Sequence, residues 1–327
     1  MTKGLITTRK IGVLMGGESP ERDISIRSGL AIYQSLQEMG YGSVPIDISK
    51  DIVNALKKEK IKFAFLALHG GIGENGAMQG MLEVLGIPYT GSGLLASALA
   101  MDKEVSKKIF IYHGLPAAPF VIVSQKSKVK SHPPPPPLAK GGQRGGGNFE
   151  LQTPDFPLPW VVKPVAGGSS IGVSIIKEEK DLNPSLEKAF SLGQRVMIEK
   201  FIPGKEVHIG MLGHKVLGGV EVRPSLEFYN YEAKYTSGLT DYIIPPEIDE
   251  ATYENAKGIA LKAHQALGCS GASRVDLRLD EGSVPHILEV NTLPGMTTTS
   301  LLPKIAKSAG ISFNGLIEEI IRLALKE

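Results

Sequence analysis

The sequence predicts an α/β protein, with an open parallel sheet in its N-terminal third and antiparallel strand pairs beyond it. Three observations predict this. Apolar runs that end in glycines, KIGVLMGG (10–17) and KFAFLALHGG (62–71), alternate with helix-period segments over roughly the first hundred residues. A strand, a glycine turn and a second strand follow in VVKPVAGGSSIGVS (161–174). Near the C-terminus, the side chains of SRVDLRLD (273–280) alternate, and together with PHILEVN (285–291) the segment reads as an antiparallel pair.

In chain order, the first strand is followed by a helix over 19–40, with Ser19 as N-cap, Pro20 at the first position and Gly40 as the stop. The second strand is followed by a helix over GAMQGMLEVLG (76–86). Ligands in open α/β sheets sit beyond the carboxyl ends of strands, which draws attention to Glu21 and His69. A helix over 102–114 and a strand, PFVIVS (119–124), come next. Residues 125–157 contain five consecutive prolines and a glycine-rich tract, a composition that buries no core and forms no helix, and they read as a surface insertion. Strands are expected at WVVKPV (160–165), GVSIIK (172–177) and RVMIEKFI (195–202), with a helix over 183–193 between the last two. Two strands around a Gly-His turn (205–224), a long amphipathic helix (250–268), the hairpin, a segment over 300–310 and a final helix from 312 complete the chain, without internal repeat.

Composition narrows the function. The 327 residues suffice for two or three domains, and 42% hydrophobic with 21% charged residues is ordinary for a globular protein. A net charge of +2 without a dense basic stripe gives no reason for a nucleic-acid partner. The single cysteine, Cys269, precludes an internal disulfide framework. The N-terminal apolar run breaks at glycines and is too short for a signal h-region or a membrane span, so a cytoplasmic protein without membrane contact is expected.

The chemistry concentrates in the hairpin and the glycine turn. Strand alternation puts Arg274 and Asp276 on one face, and Glu289 and Asn291 on one face of the partner; a turn near Gly282–Ser283 sets Asp276 opposite Glu289. Two directly opposed carboxylates repel. Either a hard cation lies between them, with Asn291 as a third oxygen and Mg²⁺ the natural choice, or Arg274 neutralises both. Lys103 opens a helix and Lys163 ends an apolar strand, so both are placed to reach phosphates. The loop 166–172, with Gly168, Ser169 and Ser170, offers backbone N–H groups to anionic oxygens. Its lysine precedes the glycines and β-branched residues follow them, so it is neither a P-loop nor a dinucleotide fingerprint. Together these features point to a nucleoside triphosphate bound with Mg²⁺.

At this point the chain resembles the D-alanine–D-alanine ligase family of the ATP-grasp superfamily. The resemblance rests on GGESPERDISIRSG, HGGIGENGAMQGMLEVLGIPYTGSG, MDK, VVKPVAGGSSIGVS, IEKFIPGKE, YEAKY, RVDLRLD and LEVNTLPGMTTTSL, in that order. It implies an N-terminal substrate-binding α/β domain (1–101), a central ATP-grasp subdomain (102–196) carrying the insertion, and a C-terminal catalytic domain (197–327), the last two being α+β subdomains that clamp ATP. It implies ligation of two D-alanines through an acyl phosphate, for peptidoglycan precursor synthesis, with ATP as substrate, two Mg²⁺ (or Mn²⁺) and a homodimeric assembly. Carried over residue by residue, Lys103 and Lys163 hold phosphates under the loop of Gly168 and Ser170. Glu199, the backbone of Lys200, Phe201 and Ile202, and Glu206 hold adenine and ribose. Asp276, Glu289 and Asn291 carry the metals. Glu21 binds the first ammonium with His69 near its carboxylate, and Arg274 and the Gly295 N–H stabilise the oxyanion. Ser300 and Leu301 hold the second carboxylate, Lys234 on a lid near 225–241 reaches the γ-phosphate, and Ser169 and Tyr235 join Glu21 in a hydrogen-bonded triad.

Two departures stand out: Asn75 replaces the family's Asp in GENG, dropping a charge, and the 125–157 tract replaces a helical connection. The six histidines other than His69 match no catalytic position of the family and read as structural or solvated. Ligases joining D-alanine to D-lactate carry another residue where this chain has Tyr235, which favours the dipeptide. A Rossmann oxidoreductase lacks G-x-G-x-x-G here, and a non-catalytic amino-acid-binding protein needs no paired carboxylates.

Overall fold

The structure is a computed structural model and describes residues 9–48, 51–124, 154–226, 229, 231–236 and 238–325, with the backbone alone at 231 and 235. The chain forms two compact units, Met1–Ala117 with Pro203–Glu327, and Ala118–Ile202.

In chain order, the first unit opens with β1 (Ile11–Gly16), α1 (Arg22–Glu38), β2 (Ser43–Ile48), α2 (Ile52–Lys58), β3 (Phe63–Leu66), α3 (Ala77–Val84), α4 (Leu94–Met101) and α5 (Lys103–Tyr112). The second unit contains β4 (Phe120–Ser124), β5 (Trp160–Pro164), β6 (Ser174–Ile176), α6 (Leu182–Phe190) and β7 (Arg195–Lys200). The chain then returns to the first unit with β8 (Lys205–Leu212), β9 (Lys215–Pro224), α7 (Tyr231–Tyr235), β10 (Thr240–Ile243), α8 (Glu250–Ala266), β11 (Ala272–Leu279), β12 (Pro285–Asn291), α9 (Leu301–Ser308) and α10 (Phe313–Ala324).

The first unit holds a parallel sheet in the order β2-β1-β3 and an antiparallel sheet in the order β10-β9-β8-β11-β12. β1 is apolar and buried at every position because helices cover both of its faces. One core runs from β1, β3 and α1 to α9, α10 and the antiparallel sheet. A second packs α4, α5 and α8 on β8, β11 and β12, and a third packs α2 and α3 on the other face of the parallel sheet. The second unit is an antiparallel sheet, β4-β7-β5-β6, packed against α6. Among the described residues no helix is long and apolar enough to cross a membrane.

Three expectations need correction. α1 begins at Arg22 with Glu21 at its N-cap, not at Ser19–Pro20. The Ser19 hydroxyl donates to the His69 carbonyl at 2.5 Å and accepts the N–H of Glu21, the N-cap residue, at 3.2 Å. The N-terminal region also contains β2, α2 and α4, which the sequence reading did not resolve. The insertion was drawn too long: residues 125–153 lie outside the described residues, but Pro154 and Phe156 are buried. Phe156 joins the core of the second unit, and its carbonyl accepts the Trp160 indole N–H at 3.0 Å.

Candidate active site

The hairpin has the register expected of it. Asp276 pairs with Glu289 and Arg274 with Asn291 across β11 and β12. A bulge follows Asp276, which re-aims the strand just past the acids. On the other side of β11, Asp276 pairs with His208 and Arg278 with Glu206. One row of the sheet therefore reads His208, Asp276, Glu289.

Both acids face cations. Arg274 grips Asp276 with two N–H groups, Nε to Oδ1 at 2.6 Å and Nη2 to Oδ2 at 2.7 Å. Lys103 Nζ, from the first turn of α5, lies 3.2 Å from Glu289 Oε2. Burial alone would raise the Asp276 carboxyl, but Arg274 and His208 outweigh it and hold it far below the usual carboxylate range. His208 Nδ1 is 2.6 Å from Asp276 Oδ1, a contact that is an ion pair rather than an aligned hydrogen bond. Its Nε2 is 3.0 Å from Glu206 Oε1. Burial pulls the imidazole down, and the two carboxylates together raise it above its ordinary value.

As a cation site, Asp276, Glu289 and Asn291 supply oxygen donors only, as Mg²⁺ prefers. The Asn291 Oδ1 accepts one bond, from the Leu293 N–H at 3.0 Å, which leaves it a second lone pair. Among the described residues no three His, Cys, Asp or Glu side chains form a self-sufficient cage. The donor set thus fits a cation completed by phosphate oxygens and water.

The ends of the parallel strands form a second centre. Gly16, Gly17, Gly70 and Gly71 adopt positive φ, and these turns line a cavity of about 200 Å³ together with Ser19 and His69. Glu21 is buried, and its carboxylate lies so near Gly70 that a Cβ there would meet Oε2 at 2.7 Å. The buried Glu74 accepts the Gly70 N–H at 2.6 Å, while Asn75 is exposed and its Oδ1 accepts the Ala77 N–H at 3.0 Å. The departure at Asn75 therefore keeps a local cap at the start of α3. His69 is buried with Nε2 3.3 Å from the Ser28 Oγ, and Ser28 in turn accepts the Met296 N–H at 3.1 Å. The α1 serine thereby ties His69 to the loop after β12. In that loop Ser300 Oγ accepts the Thr297 N–H at 3.0 Å, and Ser300 and Leu301 open α9, where helical N–H groups favour an anion. Lys234 on α7 lies over the Tyr229 ring, 5.1 Å from its centroid. The Tyr235 side chain falls outside the described residues.

The second unit holds the remaining candidates. Lys163 Nζ, at the end of β5, meets Glu199 Oε2 at 2.5 Å, and both side chains are buried. Gly167, Ser169, Ser170 and Gly172 all take positive φ, which is uncommon for serine and marks a sharply wound loop. Two turn bonds, Ile171 N–H to Gly168 O and Val173 N–H to Ser170 O, hold it at 3.1 and 3.3 Å. The Lys200 and Phe201 N–H groups donate to the Pro119 and Pro159 carbonyls at 2.9 and 3.0 Å, so both N–H groups are engaged within the second unit.

Sequence reasoning missed His208 and Ser28. His208 does have a signal: in KEVHIG it is two residues from Glu206 and shares its strand face. Reading it required knowing that β8 is the neighbour of β11.

Comparison with known proteins agrees with this architecture. Residues 109–322 match the family described as D-ala D-ala ligase C-terminus, and residues 52–92 match D-ala D-ala ligase N-terminus. The D-alanine–D-alanine ligase of Trichlorobacter lovleyi is 46% identical over 98% of this chain and 96% of its own. That of Geobacter sulfurreducens is 46% identical with the same two coverages. A crystal structure of D-alanine–D-alanine ligase from Bacillus anthracis complexed with ATP superposes with a TM-score of 0.80 and 34% identity, over 98% of both chains. The fold is that of the ATP-grasp enzymes, and the chain belongs to the D-alanine–D-alanine ligase family.

Proposed function

We propose that the chain joins two D-alanines to D-alanyl-D-alanine with consumption of ATP. The observation that carries this reading is the pairing of Asp276 with Glu289 beside Lys103 and Arg274, an acid pair set among cations on one sheet face. In the first half-reaction the carboxylate of one D-alanine attacks the γ-phosphorus and ADP leaves. In the second, the amine of the other D-alanine attacks the acyl phosphate and phosphate leaves. Segments 1–101, 102–196 and 197–327 serve as substrate-binding, ATP-grasp and catalytic parts.

The buried Glu21 carboxylate receives the first ammonium, and His69 lies near its carboxylate. Lys103, Lys163 and Lys234 hold phosphates, with Lys234 at the γ-position, and the wound loop of Gly168, Ser169 and Ser170 presents N–H groups to them. Glu199 and the Lys200–Ile202 segment take adenine, and Glu206 takes ribose. Asp276, Glu289 and Asn291 would hold Mg²⁺ or Mn²⁺, which neutralises charge on the transferring phosphoryl group. Arg274 commits two of its five N–H donors to Asp276, so others remain for the oxyanion, beside the Gly295 N–H. Ser300 and Leu301 at the start of α9 hold the second carboxylate. A homodimer working in the cytoplasm on peptidoglycan precursors completes the proposal, and sedimentation velocity tests the dimer. The deciding assay for the activity is phosphate release from ATP. It should require both D-alanine and Mg²⁺, and release that is indifferent to D-alanine would refute the ligase reading.

A further inference from the structure

Side chains two apart on a strand share a face, so β8 turns Glu206 and His208 toward the same side as Arg274 and Asp276 on β11. His208 is the direct cross-strand partner of Asp276, and its side chain is 2% exposed. Its Nδ1 stands 2.6 Å from Asp276 Oδ1 and its Nε2 stands 3.0 Å from Glu206 Oε1. An ionised carboxylate only accepts, so Nε2 serves Glu206 as a donor, while Nδ1 faces Asp276 at ion-pair distance. The ring is also braced from the side by Tyr229, edge to face, with centroids 5.9 Å apart. A buried charged cluster of this kind is weak as a source of stability, because well-packed apolar residues often do as well. Its geometry instead joins two carboxylates that the ligase reading gives to different parts of one substrate complex, Asp276 to the metal and Glu206 to the ribose.

We propose that His208 is a positioning residue that locks the metal carboxylate Asp276 and the ribose carboxylate Glu206 into one rigid unit, so that metal and nucleotide are bound in a fixed relation. Outer-shell partners of metal ligands typically change metal affinity by about ten- to hundred-fold when removed. The inference rests on the ligase reading and adds a residue to it.

The two ring nitrogens can be separated by substitution. Asparagine places an amide N–H near the position of Nδ1, and glutamine near that of Nε2. Two equilibrium constants are to be measured on the full chain: ADP affinity in EDTA by calorimetry, for the Glu206 arm, and Mn²⁺ affinity of the ADP complex by electron paramagnetic resonance, for the Asp276 arm. His208→Asn should keep Mn²⁺ affinity within about threefold and weaken metal-free ADP by about tenfold, whereas His208→Gln should do the reverse. His208→Leu should weaken both, and D-alanine KM should move less than twofold in all three. A merely structural histidine would shift the thermal midpoint without this split. Soluble Asn and Gln variants that alter both constants equally, or neither, overturn the proposal, and if the Leu variant does not fold the two amide variants still decide it. Wild-type protein that binds no ADP would instead overturn the ligase reading, and this inference with it.

Discussion

Asp276 shows how a buried charge can be retained where burial opposes it. Its carboxylate is satisfied by two Arg274 donors and faced by His208, so its charge is matched within one small volume. Asp276→Asn removes that charge and leaves the buried Arg274 guanidinium opposite a neutral amide. Breaking a buried pair in this way costs about 3–5 kcal/mol, so the thermal midpoint should fall. If Asp276 also holds Mg²⁺, turnover should drop by orders of magnitude and the Mg²⁺ concentration for half-activation should rise; an unchanged Mg²⁺ dependence would sink the metal assignment. His264 offers a separate test by pH. It is buried on α8 with Nδ1 2.7 Å from the Ser273 hydroxyl, and burial, aided by repulsion from His214, pushes it down to about 4. The folded-state value lies below the ordinary one of about 6.5, so the unfolded chain takes up the proton first as pH falls. Stability is therefore full above about pH 6.5, declines toward pH 4 by about 3 kcal/mol, and is flat in this respect below that. In His264→Gln, urea midpoints should be lower at pH 7.5 yet fall less steeply between pH 6.5 and 4. An identical slope in wild type and variant would remove His264 from the acid response.

At the scale of elements, Phe156 decides where the insertion ends. Residues 154–157 lead into β5, and Phe156 is only 8% exposed in the core of the second unit. Replacing 125–153 with a short Gly-Ser linker should leave ligase activity within a few-fold, because loop length costs little stability. Extending the replacement through 157 deletes a buried aromatic and should cost about 3–5 kcal/mol by chemical denaturation. Equal stability of the two deletions would place Phe156 outside the core. Composition could not have located this boundary, since TPDFPLP reads as loop and only its packing distinguishes the phenylalanine. Elsewhere legibility followed periodicity and burial. β11 and the Asp276–Glu289 and Arg274–Asn291 pairs were readable from the alternation of β11 and a turn near Gly282–Ser283, whereas the adjacent Ile287 and Leu288 break the alternation of β12, and the register shifts there. β2 was not: it is an edge strand, paired with β1 alone, and Pro45 breaks its pattern. α4, LLASALAM, is apolar nearly all round and carries little helical period, and α2 has only seven residues. The acid pair was legible within one hairpin, whereas His208 became visible only when β8 was placed beside β11.

For the molecule as a whole, the consequential choice is which acceptor is joined to the first D-alanine. Tyr235 is expected to govern it. The residue ends α7, in the connection between β9 and β10, and this connection is anchored to the sheet that carries the acids. Tyr229 in that connection packs against His208, and Lys234 sits over Tyr229. A change at the end of α7 therefore acts on a segment whose other end is fixed beside Asp276. By resemblance to the family, phenylalanine in place of this tyrosine admits D-lactate as second substrate. Tyr235→Phe removes only the hydroxyl, so packing should survive and the thermal midpoint should barely move. If the hydroxyl joins Glu21 and Ser169 as the family resemblance implies, its loss is worth about 1.5–3 kcal/mol, roughly a ten- to hundred-fold weakening of dipeptide synthesis. The variant should also form D-alanyl-D-lactate, most strongly at low pH, where the competing D-alanine amine is more fully protonated and a poorer nucleophile. Chromatographic separation of the two products, with both acceptors present from pH 6 to 9, measures the ratio directly. A variant that makes dipeptide alone across that range would show that acceptor choice is set elsewhere in the molecule.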